Sequence, residues 1–374
     1  MRDGDTVVFN AEAHKKTVRE MAERGESVHS EGERIYRQTG KLNQNVNIFG
    51  VKRMSRNAFV KNDDGTCLLL RGIKMPTISQ TDGTGSFGEN VAKAFFAMEG
   101  LYARLNNFDK YQIDLSVSVV QDVSDRHPVV QMAEFESDNR AAEHVKMLIP
   151  DKDGGDAIED YDLGLWYVDN CVETDIVNYG LKGYYFLLLD NIGRGVVHTN
   201  GVENHLGHKM QGSSIKTEKI CENLLTKWHL FCIQADGSDN TTRWWQDKMG
   251  EGRVIVIDDS DLLAEVQAGL VYVTETINPT ENGLYQFLLE GESNKKNTEK
   301  EARKVWQWLQ IAKQHFGAQA NLPGYDKIPK PGDIFANYRD VWPIGHNDEI
   351  KSENIPIEEQ EPTDSKTKIN WNNF

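Results

Sequence analysis

Asp82-Gly83-Thr84-Gly85-Ser86 stands between an apolar run, Gly72-Ile73-Lys74-Met75-Pro76-Thr77-Ile78-Ser79, and a stretch with helical periodicity. The run before it reads as a strand. From residue 87 to 105, Val91, Phe95, Met98, Tyr102 and Leu105 recur at the spacing of one helix face. The five residues thus form the turn at the carboxyl end of a strand, where open α/β sheets place their ligands. Asp82, Thr84 and Ser86 put three oxygens on that turn. The two glycines are expected to let the backbone curl so that all three face one point. Hard divalent cations take such oxygen sets and keep water beside them. The same residue types are also ordinary turn and cap formers, so the rest of the chain decides.

Working outward, a second strand end carries an acid: Gly183-Tyr184-Tyr185-Phe186-Leu187-Leu188-Leu189 stops at Asp190. Between the two lie strands over 113–120 and 129–135, joined by a short turn bearing Pro128, which makes that pair antiparallel. A glycine turn follows, Asp153-Gly154-Gly155-Asp156. Helices are expected over 141–149, 160–177, 217–225 and 260–271, and further strands over 184–189, 230–235 and 253–257. Strands alternating with helices at this interval imply an α/β fold, Rossmann-like, with a mostly parallel sheet and helices on both faces.

This order resembles the von Willebrand factor A domain. In that family a DxSxS motif after the first strand, a loop residue after a Gly pair and an Asp ending the fourth strand form a metal-ion-dependent adhesion site (MIDAS). Asp82, Thr84 and Ser86 match DxSxS with Thr in the middle place, and Asp190 matches the fourth-strand Asp. The resemblance is nearest to a prokaryotic and phage-type branch. The pieces that carry it are Asp122-Val123-Ser124-Asp125-Arg126-His127-Pro128, Phe135-Glu136-Ser137-Asp138, Gly154-Gly155 leading to Glu159-Asp160-Tyr161-Asp162-Leu163-Gly164-Leu165, and Lys182-Gly183-Tyr184. It covers about residues 68 to 275. The loop Thr that usually serves as a ligand has no counterpart between Gly154 and Tyr161, so an oxygen from Asp156, Glu159 or Asp160 is the expected substitute. Asp122 and Asp125, after the second strand, are expected either to stand behind the ligands or to cap their own loop.

The resemblance implies a metal-dependent protein-binding module in which an acidic side chain of a partner completes the coordination. Mg²⁺ fits a small oxygen site with retained waters, and Mn²⁺ and Ca²⁺ are the alternatives. By family analogy the partner is a MoxR-type AAA+ ATPase. The chain has no GxxxxGK[ST] motif of its own.

Composition narrows the other classes. A net charge of −16 argues against nonspecific nucleic-acid binding, which depends on Lys and Arg neutralising phosphates. No apolar run reaches membrane-spanning length and the first residues carry no signal-peptide pattern. Cys67, Cys171, Cys221 and Cys232 show no CxxC spacing, and read as reduced thiols of a cytoplasmic protein.

Four regions are expected. Residues 1–67 form a polar extension, a helical arm and then short strands, with Asn62-Asp63-Asp64-Gly65 as a hairpin turn. Residues 68–278 form the A-type domain. Residues 279–325 add a helical extension, in which Val305, Trp308, Leu309, Ala312 and Phe316 make a stripe that packs on the core or meets a partner. Residues 326–374 form a Pro-containing, acidic tail expected to be disordered; Trp371 and Phe374 at its end are either a docking motif or chance aromatics.

Two rivals to the binding module arise. Asp82-Gly83-Thr84 resembles the DxDGT loop of haloacid-dehalogenase-type phosphatases, but Gln80 stands where the nucleophilic Asp is needed. With no paired general base and partner, no catalytic residue is assigned; a metal-assisted hydrolase is the lesser alternative. His205-Leu206-Gly207-His208 has a spacing that can bind metal on a turn. The other rival is a structural or assembly protein of a phage or mobile element, with the A-type fold as scaffold.

Overall fold

The computed structural model describes residues 30–55, 58–71, 74–105, 113–137, 140–151, 158–235, 238–289, 295–316 and 332–336. The polar segment before residue 30, the glycine turn 153–156 with Asp156, and the acidic stretch from Asp348 lie outside them.

The chain enters by helix α1 (Ser30–Thr39) and short strands β1 (Arg53–Ser55), β2 (Ala58–Lys61) and β3 (Cys67–Arg71). Then come β4 (Met75–Asp82), α2 (Glu89–Leu105), β5 (Ile113–Val120), β6 (Val130–Met132), α3 (Arg140–Val145), α4 (Tyr161–Cys171), β7 (Val172–Thr174) and β8 (Gly183–Leu189). After β9 (Val196–His198), a helical turn over 199–206 and β10 (Ser214–Lys216), the second half adds α5 (Thr217–Lys227), β11 (Trp228–Ala235), α6 (Asp239–Met249), β12 (Val254–Ile257) and α7 (Leu263–Glu275). Helices α8 (Glu281–Leu289), α9 (Lys295–Trp308) and α10 (Gln310–Phe316) follow, with a last strand β13 (Ile334–Phe335).

Six strands form one sheet in the order β12-β11-β8-β4-β5-β6. All neighbours are parallel except the edge pair β5–β6. This is the α/β, Rossmann-like architecture expected from the sequence: a mostly parallel sheet with one antiparallel edge strand and helices on both faces. The chain leaves β4 toward β5 and β6, then returns to the other side of β4 as β8. The direction of winding therefore reverses between β4 and β8, and a crevice opens at their carboxyl ends.

β4, β5, β8 and β11 are buried at every residue; β8 and β11 read as near-continuous apolar runs, while β4 and β5 carry buried polar residues such as Ser79, Gln80, Ser116 and Ser118. In β8, Tyr184, Phe186 and Leu188 face a core built with α2, α3 and α7–α10, while Tyr185, Leu187 and Leu189 face one built with α4, α5 and α6. Every residue of α7 is buried, because the sheet lies on one side and the α8–α10 layer on the other. Val305, Leu309 and Ala312 are fully buried and the Phe316 ring meets Phe231 edge-on at 5.5 Å. The apolar stripe is a packing face against α7.

Several boundaries differ from expectation. The helix expected over 160–177 stops at Cys171, because Val172–Thr174 pairs in parallel with β1. A 3-10 turn follows over Ile176–Tyr179, closed by Gly180 at φ 71°. The stripe from Val305 to Phe316 in the helical extension is carried by two helices, α9 and α10, broken at Leu309. β6 spans three residues rather than 129–135, and one antiparallel bridge, Leu115 to Glu136, continues the pair.

The extensions are also tied in. Buried Arg53 donates from Nε to Met132 O at 2.9 Å and from Nη2 to Asn45 O at 3.0 Å and Asn47 O at 3.1 Å, and Met132 N donates to Val46 O at 3.1 Å. The 42–55 segment thereby covers the β6 edge, whose unpaired groups would otherwise invite another strand. The boundary expected between 67 and 68 falls inside β3. That strand pairs with β2 through the Asn62–Gly65 turn, and with Ile334–Phe335 from the stretch expected to be disordered.

Candidate metal centre

Asp82 is the last residue of β4 and Asp190 follows β8 directly, so both carboxylates sit at the reversal crevice. The turn after β4 is held by its own side chains. Asp82 Oδ1 accepts from Thr84 N at 2.7 Å and from Thr84 Oγ1 at 2.6 Å, and Thr84 Oγ1 lies 3.0 Å from Ser86 Oγ. Asp82 and Thr84 are buried; Ser86 is exposed and forms the open side. Neither Gly83 nor Gly85 has a positive φ; the left-handed residue is Gly88, at φ 54°. Gly83 is needed for space instead, since a Cβ there would lie 2.5 Å from Val119 Cγ2 and 2.9 Å from Gln121 Oε1. The turn over 82–86 therefore forms without a left-handed residue, held by Asp82 Oδ1 on Thr84, and Gly88 ends it where α2 starts.

Helix α4 brings the third component. Glu159, just before it, is fixed by a backbone bond from its N–H to Ile192 O at 3.1 Å. Its Oε1 is 3.4 Å from Ser86 Oγ. Tyr161, in the first turn of α4, donates its hydroxyl to Asp82 Oδ2 and lies 3.5 Å from Asp190 Oδ1. Ser86 also hydrogen-bonds Asp190. Of the sequence-predicted residues, Asp82, Thr84, Ser86, Glu159 and Asp190 are thus brought together, with buried Asp122 facing Glu159.

The other acids do different work. Asp160 accepts a two-pronged contact from Arg194, Nε to Oδ1 at 2.6 Å and Nη2 to Oδ2 at 3.2 Å, and also accepts from Val123 N at 3.0 Å. It is turned away from the hydroxyls. Asp125 Oδ2 accepts from Asp122 N at 2.9 Å, which is the loop-capping role.

Sequence reasoning passed over three residues here. Tyr161 bridges the two strand-end carboxylates. Arg194 pairs with Asp160 and approaches Asp122 Oδ1 at 3.6 Å. Buried Asp162 accepts from Arg194 N at 2.6 Å, Gly195 N at 3.3 Å and the Thr217 hydroxyl, so it fastens the loop after β8 to α4 and α5. The signal for Tyr161 was its place in Glu159-Asp160-Tyr161, directly after the acids at the start of α4.

The electrostatics are those of carboxylates crowded out of water. Burial raises Asp82 to about 7, against the hydrogen bonds from Thr84 and Tyr161 that favour its charged form. Burial raises Glu159 to about 9, and the charges of Asp82 and Asp122 add to it. Asp190 is raised by burial, and Tyr161 is raised well above the usual phenol range by burial and by Asp82 and Asp190. Among the described residues, no backbone N–H or hydroxyl reaches the buried Glu159 Oε2. Such an oxygen demands either a proton shared between carboxyl groups or a cation.

The donor set fits a hard divalent cation: two hydroxyls and several carboxylates, with an exposed side for water. Among the described residues no three His, Cys, Asp or Glu side chains converge into a ready-made cage. Hydroxyl oxygens therefore have to be part of any coordination. His205 and His208 stand apart from the oxygen cluster's hydrogen bonds, His205 lining a cleft beside residues 36–49. His208 Nε2 lies 3.2 Å from Val51 O and its ring packs near Trp166 and Tyr167. Gln80 is fully buried under α4, accepting from Tyr185 OH at 2.6 Å and donating to Ser118 Oγ at 2.8 Å. It is a packing residue of the central strand. All four cysteines are buried and free, and among the described residues no helix is long and apolar enough to cross a membrane.

No protein-family model matches the chain, and no curated protein does. Solved structures do. The pilus adhesin SpaC from Lactobacillus rhamnosus GG, in an open conformation, is 10% identical with a TM-score of 0.41, over 62% of this chain and 34% of that one. Proximal thread matrix protein 1 from the mussel byssus is 15% identical with a TM-score of 0.35, over 53% of this chain and 46% of that one. The same mussel protein, solved with a zinc-occupied MIDAS motif, is 13% identical with a TM-score of 0.36, over 57% of this chain and 47% of that one. The chain spans less than half the length of each of these proteins.

Proposed function

We propose that this chain is a protein-binding module whose affinity depends on a divalent cation held at the carboxyl ends of β4 and β8. The observation that carries this reading is the oxygen cluster of Asp82, Thr84, Ser86, Glu159, Tyr161 and Asp190. It includes a buried Glu159 oxygen that no backbone N–H or hydroxyl reaches among the described residues. Thr84 and Ser86 would hold the cation through hydroxyls, and Asp82, Asp190 and Glu159 directly or through water, Glu159 standing in for the loop Thr of the family. Mg²⁺ is the preferred ion on size and donor type, with Mn²⁺ and Ca²⁺ next. A cation here supplies positive charge at an open edge, and an acidic side chain of a partner is the group that meets it. A MoxR-type AAA+ ATPase is the partner class that the family resemblance implies.

Binding rather than turnover is favoured by how the hydroxyls are used. Thr84 and Ser86 are bonded to carboxylates and to each other, not to a histidine or lysine that would make either a nucleophile. Calorimetry with Mg²⁺ and Mn²⁺ tests the reading. Wild type is expected to bind, and Asp82→Ala with Ser86→Ala to lose binding. Wild type that binds none of Mg²⁺, Mn²⁺ and Ca²⁺ would refute it.

A further inference from the structure

A buried tyrosine ordinarily turns its hydroxyl to whatever acceptor the core offers. Tyr161 is 1% exposed, and its hydroxyl goes to the carboxylate that ends β4. Both oxygens of that carboxylate are taken by the protein. Asp82 Oδ1 accepts from Thr84 N at 2.7 Å and from Thr84 Oγ1 at 2.6 Å, and Oδ2 accepts from Tyr161. The phenol has a single proton, and that proton is committed to Asp82. Its oxygen still stands 3.5 Å from Asp190 Oδ1. One hydroxyl carried by α4 is therefore seated within reach of both strand-end carboxylates.

The surroundings of Tyr161 also fix the second carboxylate. Asn191, directly after Asp190, accepts at its carbonyl from Trp245 Nε1 at 2.9 Å, and the Trp245 ring lies 6.0 Å from the Tyr161 ring. Glu159 N donates to Ile192 O at 3.1 Å, and Asp162 accepts from Arg194 N at 2.6 Å and Gly195 N at 3.3 Å. Gly193 lies so close to α4 that a Cβ there would fall 2.6 Å from Asp162 Oδ2. Residues 159–162 thus clamp the loop over 191–195 along its length, with Tyr161 on the side of the carboxylates. An oxygen set held this firmly discriminates between hard cations. Mg²⁺ demands near-ideal geometry at short range, whereas Ca²⁺ accepts longer and less regular contacts.

We propose that Tyr161 is a positioning residue of the cation site: acting through Asp82 and Asp190, it holds the two strand-end carboxylates in place and so sets a preference for Mg²⁺ over Ca²⁺. The inference rests on the reading of the cluster as a cation site, and it adds what determines the choice of ion. Without the hydroxyl, Asp82 Oδ2 loses its donor and the space beside Asp190 opens to water or to movement of either carboxylate. That loss harms the ion with strict geometry more than the ion with loose geometry.

Competition of Mg²⁺ and of Ca²⁺ against Mn²⁺, followed by the paramagnetic resonance of free Mn²⁺, tests this on the full chain in wild type and Tyr161→Phe. Thermal melting in EDTA verifies that the variant is folded. Wild type is expected to bind Mg²⁺ more tightly than Ca²⁺. In Tyr161→Phe the Mg²⁺ affinity is expected to fall about 10–100-fold, the usual effect of losing a group that orients a metal ligand. The Ca²⁺ affinity is expected to fall less, so that the preference narrows or inverts. No loss of Mg²⁺ affinity, or an equal or larger loss for Ca²⁺, would overturn the proposal, because a tyrosine that only packs the core leaves the ratio of the two ions where it was. Wild type that binds Ca²⁺ as tightly as Mg²⁺ would overturn it too, and that measurement stands even if Tyr161→Phe does not fold. The two readings fail differently. Wild type that binds no cation removes the cation site and the role of Tyr161 together, whereas wild type that binds Mg²⁺ and keeps its ion ratio in Tyr161→Phe removes the role of Tyr161 alone.

Discussion

Gly164 sits on the face of α4 that presses on the central strand, and replacing it with alanine is expected to destabilise the protein. In an exposed helix the same change stabilises by up to about 1 kcal/mol. Here the new Cβ would lie 2.6 Å from Gln80 Oε1 and 3.2 Å from both Gln80 Cδ and Nε2. Gln80 has nowhere to go without breaking bonds. Its Oε1 holds the buried Tyr185 hydroxyl at 2.6 Å, and its Nε2 donates to Ser118 Oγ at 2.8 Å, which donates on to Gln131 O at 2.7 Å. Displacing the amide leaves at least one buried donor unsatisfied, at about 1–3 kcal/mol each. Two such losses less the helix gain give a net destabilisation of roughly 1–5 kcal/mol. Urea unfolding followed by tryptophan fluorescence measures this. A double-mutant cycle with Gln80→Ala isolates the cause: once the amide is gone, Gly164→Ala is expected to be neutral or stabilising. Reasoning from this contact is refuted if Gly164→Ala alone raises stability, or if the two changes are simply additive.

Three further outcomes are expected. Saturating Mg²⁺ at about 100 times its dissociation constant should raise stability by about 2.7 kcal/mol, seen as a higher melting temperature in scanning calorimetry and absent in Asp82→Ala with Ser86→Ala. In the cation-free protein, Asp82 and Glu159 are raised to about 7 and about 9. Their contribution to stability is therefore full below the unfolded values near 4 and is lost as pH rises through 7 and 9. Cation binding must displace those protons, so titration at pH 7 in two buffers of different ionisation heat should show roughly one to two protons released, and pH-independent affinity would contradict it. His229 is lowered to about 3 by burial, with the charges of Arg253 and Lys182 adding. Its folded value lies below the unfolded one, so stability holds above about pH 6.5 and falls as pH drops from there toward 3, by at most about 1.4 kcal/mol per unit. His229→Gln should flatten that part of the urea-denaturation profile relative to wild type.

How much of this was written in the sequence depends on how local each cause is. Parallel strands buried on both faces tend to be apolar at nearly every position, so β8 and β11 announce themselves, and β5 does so by the alternation of Ile113, Leu115 and Val117 with polar residues. The helix after Ser86 does so by its stripe, and the polar-acidic turn between strand and helix places Asp82, Thr84 and Ser86 without reference to anything distant. Asp190 follows from the same rule, as the first residue past a buried strand. These are consequences of neighbours in the chain, and together they determined the α/β order and one half of the oxygen cluster.

The other half was decided in three dimensions. Tyr161 meets Asp82 across 79 positions of sequence, and only the packing angle of α4 on the sheet brings its hydroxyl there rather than to solvent. That same angle separates Glu159, which faces Ser86, from Asp160, which is drawn off by Arg194. Nothing local distinguishes these adjacent acids. Helix α4 ends at Cys171 because β1, more than a hundred residues earlier, supplies a pairing partner for Val172–Thr174, and β13 forms because β3 offers a free edge. Gly83 is a glycine because Val119 of the next strand leaves no room for a Cβ, a reason that resides in β5 and not in the turn. Local pattern sets which residues can form an element. Register, helix rotation and the space left by neighbours determine which side chains then meet, and those are properties of the packed chain alone.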